Sequence, residues 1–357
     1  MTGKKESLAT RRACERGYYQ GNEWYCTFRF DDVTGIGFEE NINRRDPSSV
    51  LLIEGLYYTW YSRSVGPHVG FGTGDPDAKV WPWDYCDIWY ATSEDGQNWT
   101  EQGVAVARGE AGRYDDRSVF TVEVLAHDGK YYLVYQCVKS PYVRRVKNTV
   151  GMAIADSPRG PWRTLDEPIL RASDTGVWDG DEDNRFLVKE QGEFDSHKVH
   201  DPSLFYFQGK FHLYYKGEIM GERLYMGGRE TKWGVAIADQ IEGPYIKSPY
   251  NPVTNSGHET CLWHYKGGLA ALLTTDGMER NTIQYTTDGV NFEIVAGVKD
   301  PAPHAAGPFR TPDHDKRPLE GLAWGLCHEH KDGWDYIRRY EIDEQLKKWF
   351  NSRQPYE

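Results

Sequence analysis

The stretch RRDPSSVLLIEGLYYTWYS (residues 44–62) holds an acid, a short apolar run, a glycine and then an aromatic run. Two such runs around a Gly-containing turn make a β-hairpin by local chemistry. The phrase returns as DDRSVFTVEVLAHDGKYYLVYQ (115–136), HDPSLFYFQGKFHLYYKG (200–217) and GHETCLWHYKGGLAALLTTDG (257–277). A weaker fifth copy is PLEGLAWGLCHEHKDGWDYIRRYE (318–341).

A second phrase follows each of the first four. CDIWYATSEDGQNWTEQG (86–103), VGMAIADSPRGPWRTLDEPIL (150–170), WGVAIADQIEGPYIKSPYNPV (233–253) and NTIQYTTDGVNFEIVAG (281–297) each read as strand, Asp-Gly or Gly-Pro turn, strand. The unit is four strands repeated five times, which predicts an all-β fold, a five-bladed β-propeller, over 22–340. A β-sandwich would supply hairpins but not the paired phrases. Insertions near 64–84 and 172–199 break the spacing, and long insertions in compact folds commonly carry function. The ends differ from the repeat. Ser7 can cap a helix through LATRRACERGYY, which predicts a short helical N-terminal segment over 1–21. EIDEQLKKWFNS has helical period and predicts a C-terminal helix over 341–357. Either could cover a sheet edge or touch a second copy of the chain.

The 357 residues are 39% hydrophobic and 27% charged, a globular balance, and 14% aromatic. Most of that aromatic excess suits pleated strands, and a few flat rings suit the C–H faces of a sugar. The net charge of -12 gives no electrostatic reason to bind nucleic acid or anionic lipid and favours a neutral substrate. No apolar run reaches the ~20 residues that span a bilayer, and no membrane role is expected. Six cysteines, Cys14, Cys26, Cys86, Cys137, Cys261 and Cys327, lack CxxC or zinc spacing. They read as reduced core thiols and point to the cytoplasm, with the periplasm as the alternative if a leader has been removed.

In a propeller the opening residues of each inner strand aim at one central space. Those positions are Asp46, then Asp116 or Thr121, then Asp201, then His258 or Glu259, then Glu320. One acid before a proline is only a turn signal. Several acids at one axis are costly unless they bind cations, move protons or hold hydroxyls. A general acid and a base or nucleophile flanking an acetal are what glycoside hydrolysis needs, and inverting enzymes commonly hold the pair roughly 6.5–9.5 Å apart.

NRRDPSSV, VWPWDYCDIWYATS, YDDRSVFTVEVLAHDGKYYLVYQ, HDPSLF and SGHET together resemble glycoside hydrolase family 117, the α-1,3-(3,6-anhydro)-L-galactosidases or α-neoagarobiose hydrolases. The resemblance spans nearly the whole chain. It implies an exo-acting, inverting enzyme that releases 3,6-anhydro-L-galactose from the non-reducing end of neutral agar-derived oligosaccharides. It implies Asp46 as general base, His258 as an unusual general acid and Asp201 as support for the acid. Glu259, His200, Thr121, Trp81 and Trp83 are implied as substrate-binding. A homodimer contacted through the N-terminal segment is implied as well. No cofactor is required by the sequence; a divalent metal ion near the site is compatible with the family, and no ligands are identified.

The residues themselves leave the acid open between His258 and Glu259. Gly55 stands nine positions after Asp46, Gly267 nine after His258, and Gly268 nine after Glu259. The doubled glycine makes the register ambiguous by one, and one residue swaps the face of a strand. A glutamate acid here would fit an exo-α-L-arabinofuranosidase or β-xylosidase of the same fold. A non-catalytic carbohydrate-binding propeller is the other alternative.

Overall fold

The computed structural model describes residues 7–15, 23–223, 229–310 and 317–343. A helix, α1 (Leu8–Glu15), comes first, and Ser7 Oγ accepts the Thr10 N–H at 3.1 Å, a side-chain cap. β1 (Phe28–Asp32) and β2 (Ile42–Arg45) follow.

Four-stranded antiparallel units then recur. The first is β3 (Val50–Ile53), β4 (Leu56–Val65), β5 (Asp87–Ser93) and β6 (Trp99–Val106); β2 also pairs with β4. The second is β7 (Ser118–His127), β8 (Lys130–Val138), β9 (Thr149–Ala155) and β10 (Arg163–Thr164), with β11 (Leu170–Arg171) also on β9. The insertion at 172–199 carries a small hairpin of β12 (Val177–Trp178) and β13 (Val188–Glu190). The third unit is β14 (Lys198–Phe207), β15 (Lys210–Glu218), β16 (Thr231–Ala238) and β17 (Ile246–Lys247). The fourth is β18 (Leu262–Tyr265), β19 (Gly268–Leu273), β20 (Thr282–Thr286) and β21 (Glu293–Gly297).

The last unit corrects the sequence reading. Its inner strand is β22 (His304–Arg310), followed by β23 (Trp324–Lys331) and β24 (Trp334–Ile342), and its outer strand is β1 from the N-terminus. Glu320, expected at the axis, lies instead in a 3-10 turn, Glu320–Leu322, between β22 and β23. The cause is a turn that sits one strand late. Glu54-Gly55, Asp128-Gly129, Gln208-Gly209, Lys266-Gly267 and Asp332-Gly333 all hold both residues at φ between +42° and +89°. This is the two-residue turn whose twist matches a hairpin. In the first four units it joins inner and second strands, whereas Asp332-Gly333 joins β23 to β24. β24 runs to Ile342, so residues 341–342 are strand rather than the start of the expected C-terminal helix, and 344–357 lie outside the described residues. Most of the expected N-terminal segment, apart from α1, does so too.

Apolar faces pack between neighbouring units. Leu51, Trp60 and Ile88 meet Val119, Leu133 and Tyr135 of the next unit. Val150 and Met152 meet Leu204 and Leu213, Phe205 and Val235 meet Leu262 and Leu269, and Trp263 and Leu272 meet Cys327 and Tyr340. Val50 and Tyr61 share a core with Leu326 and Ile337, so the first unit packs on the last, and β22 pairs in parallel with β3. Each fully buried aliphatic side chain contributes about 1.5–3 kcal/mol. These clusters hold the inner strand starts in place.

Candidate active site

Each inner strand opens with a kink. Phe120 pairs with Gln136 and Val122 with Tyr135, which leaves Thr121 as a bulge. His200 pairs with Lys216 and Ser203 with Tyr214, and the bulge is at Asp201. His304 and Gly307 face His328 and Leu326, with Ala305 bulged. Thr121, Asp201 and Ala305 have φ of +45°, +49° and +47°, and Asp46 has +49°. Left-handed backbone at a non-glycine residue is uncommon, and a bulge at a strand end re-aims a side chain. Here it turns two successive side chains of one strand toward a common space.

The register question at 257–259 closes on these pairings. His258 N–H donates to Thr274 O and Leu272 N–H to Cys261 O, so Glu259 occupies the bulge and His258 precedes it. Arg45, which pairs with Ser62, is the counterpart of His258, and Asp46 is the counterpart of Glu259. Beyond that bulge the first unit carries one more residue between Ser48 and Leu51, because Ser48 N–H reaches Trp60 O while Leu51 already faces Tyr58. Counting back from the turn glycine therefore misleads by one. Gly257 makes the approach at φ +109°, where an added Cβ would stand 2.5 Å from Trp233 Nε1.

All eight residues singled out in the sequence line one cavity of about 480 Å³: Asp46, Asp201, His258, Glu259, His200, Thr121, Trp81 and Trp83. Trp81 and Trp83 stack at 5.2 Å and 13°, and the Arg45 guanidinium lies 4.7 Å over Trp83. Trp83 Nε1 donates to Tyr142 Oη at 2.8 Å, so the ring is fixed at its polar edge. Below this cavity a chamber of only about 20 Å³ lies among Pro47, Val122, Pro202, Ala305 and Ala306.

Asp46 is buried and fully engaged. Arg45 Nε donates to its Oδ2 at 2.8 Å, Thr121 Oγ1 donates to the same oxygen at 3.1 Å, and His328 Nδ1 lies 2.9 Å from Oδ1. Arg45 also reaches Asp335 Oδ2 at 2.8 Å. Across the cavity Lys216 Nζ forms an ion pair with Asp201. His258 Nδ1 meets Asp276 Oδ2 at 2.5 Å, and its Nε2 lies 3.6 Å from Glu259 Oε1.

The fold that carries this cavity is matched in a solved protein. The family 117 glycoside hydrolase Zg3597 of the marine bacterium Zobellia galactanivorans is 37% identical to this chain. The match covers 90% of this chain and 92% of that one, with a TM-score of 0.72. The chain belongs to glycoside hydrolase family 117. The family model described as Glycosyl hydrolases family 43 also matches residues 44–200 of this family 117 hydrolase. The GH43_1 enzyme from Xanthomonas citri complexed with xylose (13% identity, 86% and 89% covered, TM-score 0.54) shares its fold. So does CoXyl43, a GH43 beta-xylosidase/alpha-arabinofuranosidase from a compost microbial metagenome (16%, 88% and 95%, 0.53). No curated protein matches the sequence significantly.

The charges in this family 117 site are set apart by their surroundings. Burial alone would favour a neutral Asp46, but the Arg45 guanidinium and His328 outweigh it and hold the carboxyl well below the usual range. His328 is raised: burial and Arg45 oppose its charge, and the bond to Asp46 prevails. Burial, followed by the neighbouring Glu259 charge, pushes Asp201 up despite Lys216. Glu259 goes the other way, since His258, Lys216 and His328 together overcome its burial. His200, within 3.3 Å of Glu218, is held well below its ordinary value by burial and by Lys216, so it is a neutral group.

Asp201, His258 and Glu259 also bring one donor atom each within 4.8 Å of one another. A divalent cation there would compete with the Lys216 ammonium already seated on Asp201. With that ammonium in place the three residues do not fit a resident metal.

Several functional neighbours were not found by sequence reasoning. Arg45 precedes the aspartate directly, Asp276 sits in the TTDG turn of the fourth repeat, and His328 lies in the HEH of the fifth. Each stood in a quoted phrase, but only its tertiary partner gives it a role. Lys216 on β15 and the Glu218–Arg185–Arg229 ion cluster carried no local signal.

Proposed function

We propose that this family 117 hydrolase is an exo-acting, inverting α-1,3-(3,6-anhydro)-L-galactosidase acting on neoagarobiose and neoagaro-oligosaccharides. The units form the five blades of a propeller, supported by the cores between consecutive units and between last and first. The observation that carries the reading is the contrast between Asp46, kept ionised by Arg45 and His328, and the imidazole of His258 across the same cavity. Asp46 takes a proton from water as its oxygen attacks the anomeric carbon. The bond from that carbon to the glycosidic oxygen breaks as His258 Nε2 delivers a proton to the leaving oxygen. Glu259 is held as an anion and suits a hydroxyl or the His258 ring better than it suits proton donation. Asp201, pushed up by burial and paired with Lys216, supports the acid side. Thr121 and His200 supply hydrogen bonds, and Trp81 and Trp83 a flat wall.

A second reading rests on the bulge: Glu259 shares its position with Asp46 and Asp201, as an arabinofuranosidase or β-xylosidase with a glutamate acid would need. Proton NMR of the enzyme with neoagarobiose tests the first reading. Free 3,6-anhydro-L-galactose and galactose are expected. An intact disaccharide alongside hydrolysis of nitrophenyl pentosides would replace it with the second.

A further inference from the structure

Asp276 is buried in the turn after β19, and the reaction above leaves it without a task. Its Oδ2 lies 2.5 Å from His258 Nδ1, and its Oδ1 accepts the Arg229 backbone N–H at 3.3 Å. Its carbonyl accepts the Gly257 N–H at 3.2 Å, while His258 N–H donates to Thr274 O at 3.3 Å. The two side chains thus meet directly, and main-chain bonds tie the segments that carry them. An ionised carboxylate only accepts hydrogen bonds, so Nδ1 of His258 must carry a proton and donate it. Asp276 is ionised here: burial works against its charge, and the bond to His258 wins. The remaining ring nitrogen, Nε2, faces Glu259 and the cavity.

We infer that Asp276 is a positioning residue for proton transfer, fixing the His258 ring so that Nε2 meets the leaving oxygen while Nδ1 keeps its proton throughout turnover. The inference rests on His258 as the acid. When Nε2 gives its proton to the glycosidic oxygen, the imidazole left behind is the Nδ1–H tautomer already bonded to Asp276. No proton passes to Asp276, and none of its bonds must rearrange. An orienting carboxylate behind an imidazole is general logic in acid–base sites.

Asp276→Asn tests this with little change of shape. The amide oxygen still serves the Arg229 N–H, but its NH2 now faces Nδ1 and favours the opposite tautomer. On neoagarobiose, kcat should fall by about 10²–10⁴-fold, the usual span of acid–base assistance, with KM within about threefold. An aryl 3,6-anhydro-α-L-galactoside with a good leaving group should lose far less. The downfield Nδ1 proton of His258 should be seen by NMR in the wild type and vanish in Asp276→Asn and His258→Ala. Asp276→Glu should recover part of the rate. Asp276→Asn with wild-type kcat, or with equal losses on both substrates, overturns the positioning role if His258→Ala still discriminates between them. Lack of discrimination in His258→Ala instead removes the acid reading and this inference with it.

Discussion

Arg45 donates from Nε to the Oδ2 of Asp46, its immediate neighbour, at 2.8 Å. Consecutive strand residues normally point to opposite faces. The left-handed backbone at Asp46 (φ +49°) brings guanidinium and carboxylate to one side. The pair therefore depends on the kink, and the charge state of the proposed base depends on the pair. Asp46→Asn should cut turnover by about 10²–10⁴-fold while leaving affinity for neoagarobiose intact by calorimetry. Retained turnover would take Asp46 out of the base role. Arg45→Met should also lose activity, with the acid limb of the rate profile moving to higher pH as the carboxyl loses its cation.

His258 and Glu259 can be separated by leaving group. His258→Ala should lose much more rate on the disaccharide than on an activated aryl glycoside, because a good leaving group needs little protonation. Glu259→Gln should raise KM and show no such contrast. The reverse pattern, with discrimination in Glu259→Gln only, would move the acid to Glu259.

Stability should depend on pH through His328. It faces Asp46, Asp335, Arg45 and Glu259, and its folded-state value is raised. The stabilisation is fully present below the unfolded value of about 6.5 and is lost as pH rises through the folded one. Asp46 has the opposite sign: its contribution is present above about 3.9 and fades as pH falls through the depressed folded value. The gap in Tm between wild type and His328→Gln should be largest below about pH 6.5 and shrink in alkali. A gap that widens with pH would contradict the His328–Asp46 pairing.

Gly257→Ala should destabilise the fold and the site together. An added Cβ meets the buried indole of Trp233 and must also adopt φ +109°. Overpacking of this kind costs about 1–3 kcal/mol. Urea unfolding should register the loss, and activity should fall beyond it because His258 is the next residue. Unchanged stability would mean that the turn can shift without cost.

The N-terminal segment is expected to join two copies of the chain. Truncation before Asn22 should lower the mass seen by light scattering from dimer to monomer; an unchanged mass would assign the contact elsewhere.

Much of the architecture could be read locally. X-Gly turns, apolar and aromatic runs and acids at strand starts are short-range features. They located the first four repeats and eight residues of the cavity wall, but not Arg45 or His328, which stand in the same phrases. The last unit was misread because its X-Gly turn joins β23 to β24, and nothing local marks β22 as the inner strand. His304 to Arg310 becomes an inner strand only by pairing with β3, some 250 residues earlier in the chain. The sequence by itself determined an all-β chain of repeated four-stranded units, its family and the residues at its strand starts, because turn chemistry and strand periodicity act over a few neighbours. Only the tertiary structure decided that Glu259 takes the bulge and His258 the place before it, and that Arg45 and His328 hold Asp46. It also decided that Asp276 stands behind His258. Bulges, ion pairs and burial join residues distant in sequence, and their energies depend on distance and desolvation that no local pattern encodes.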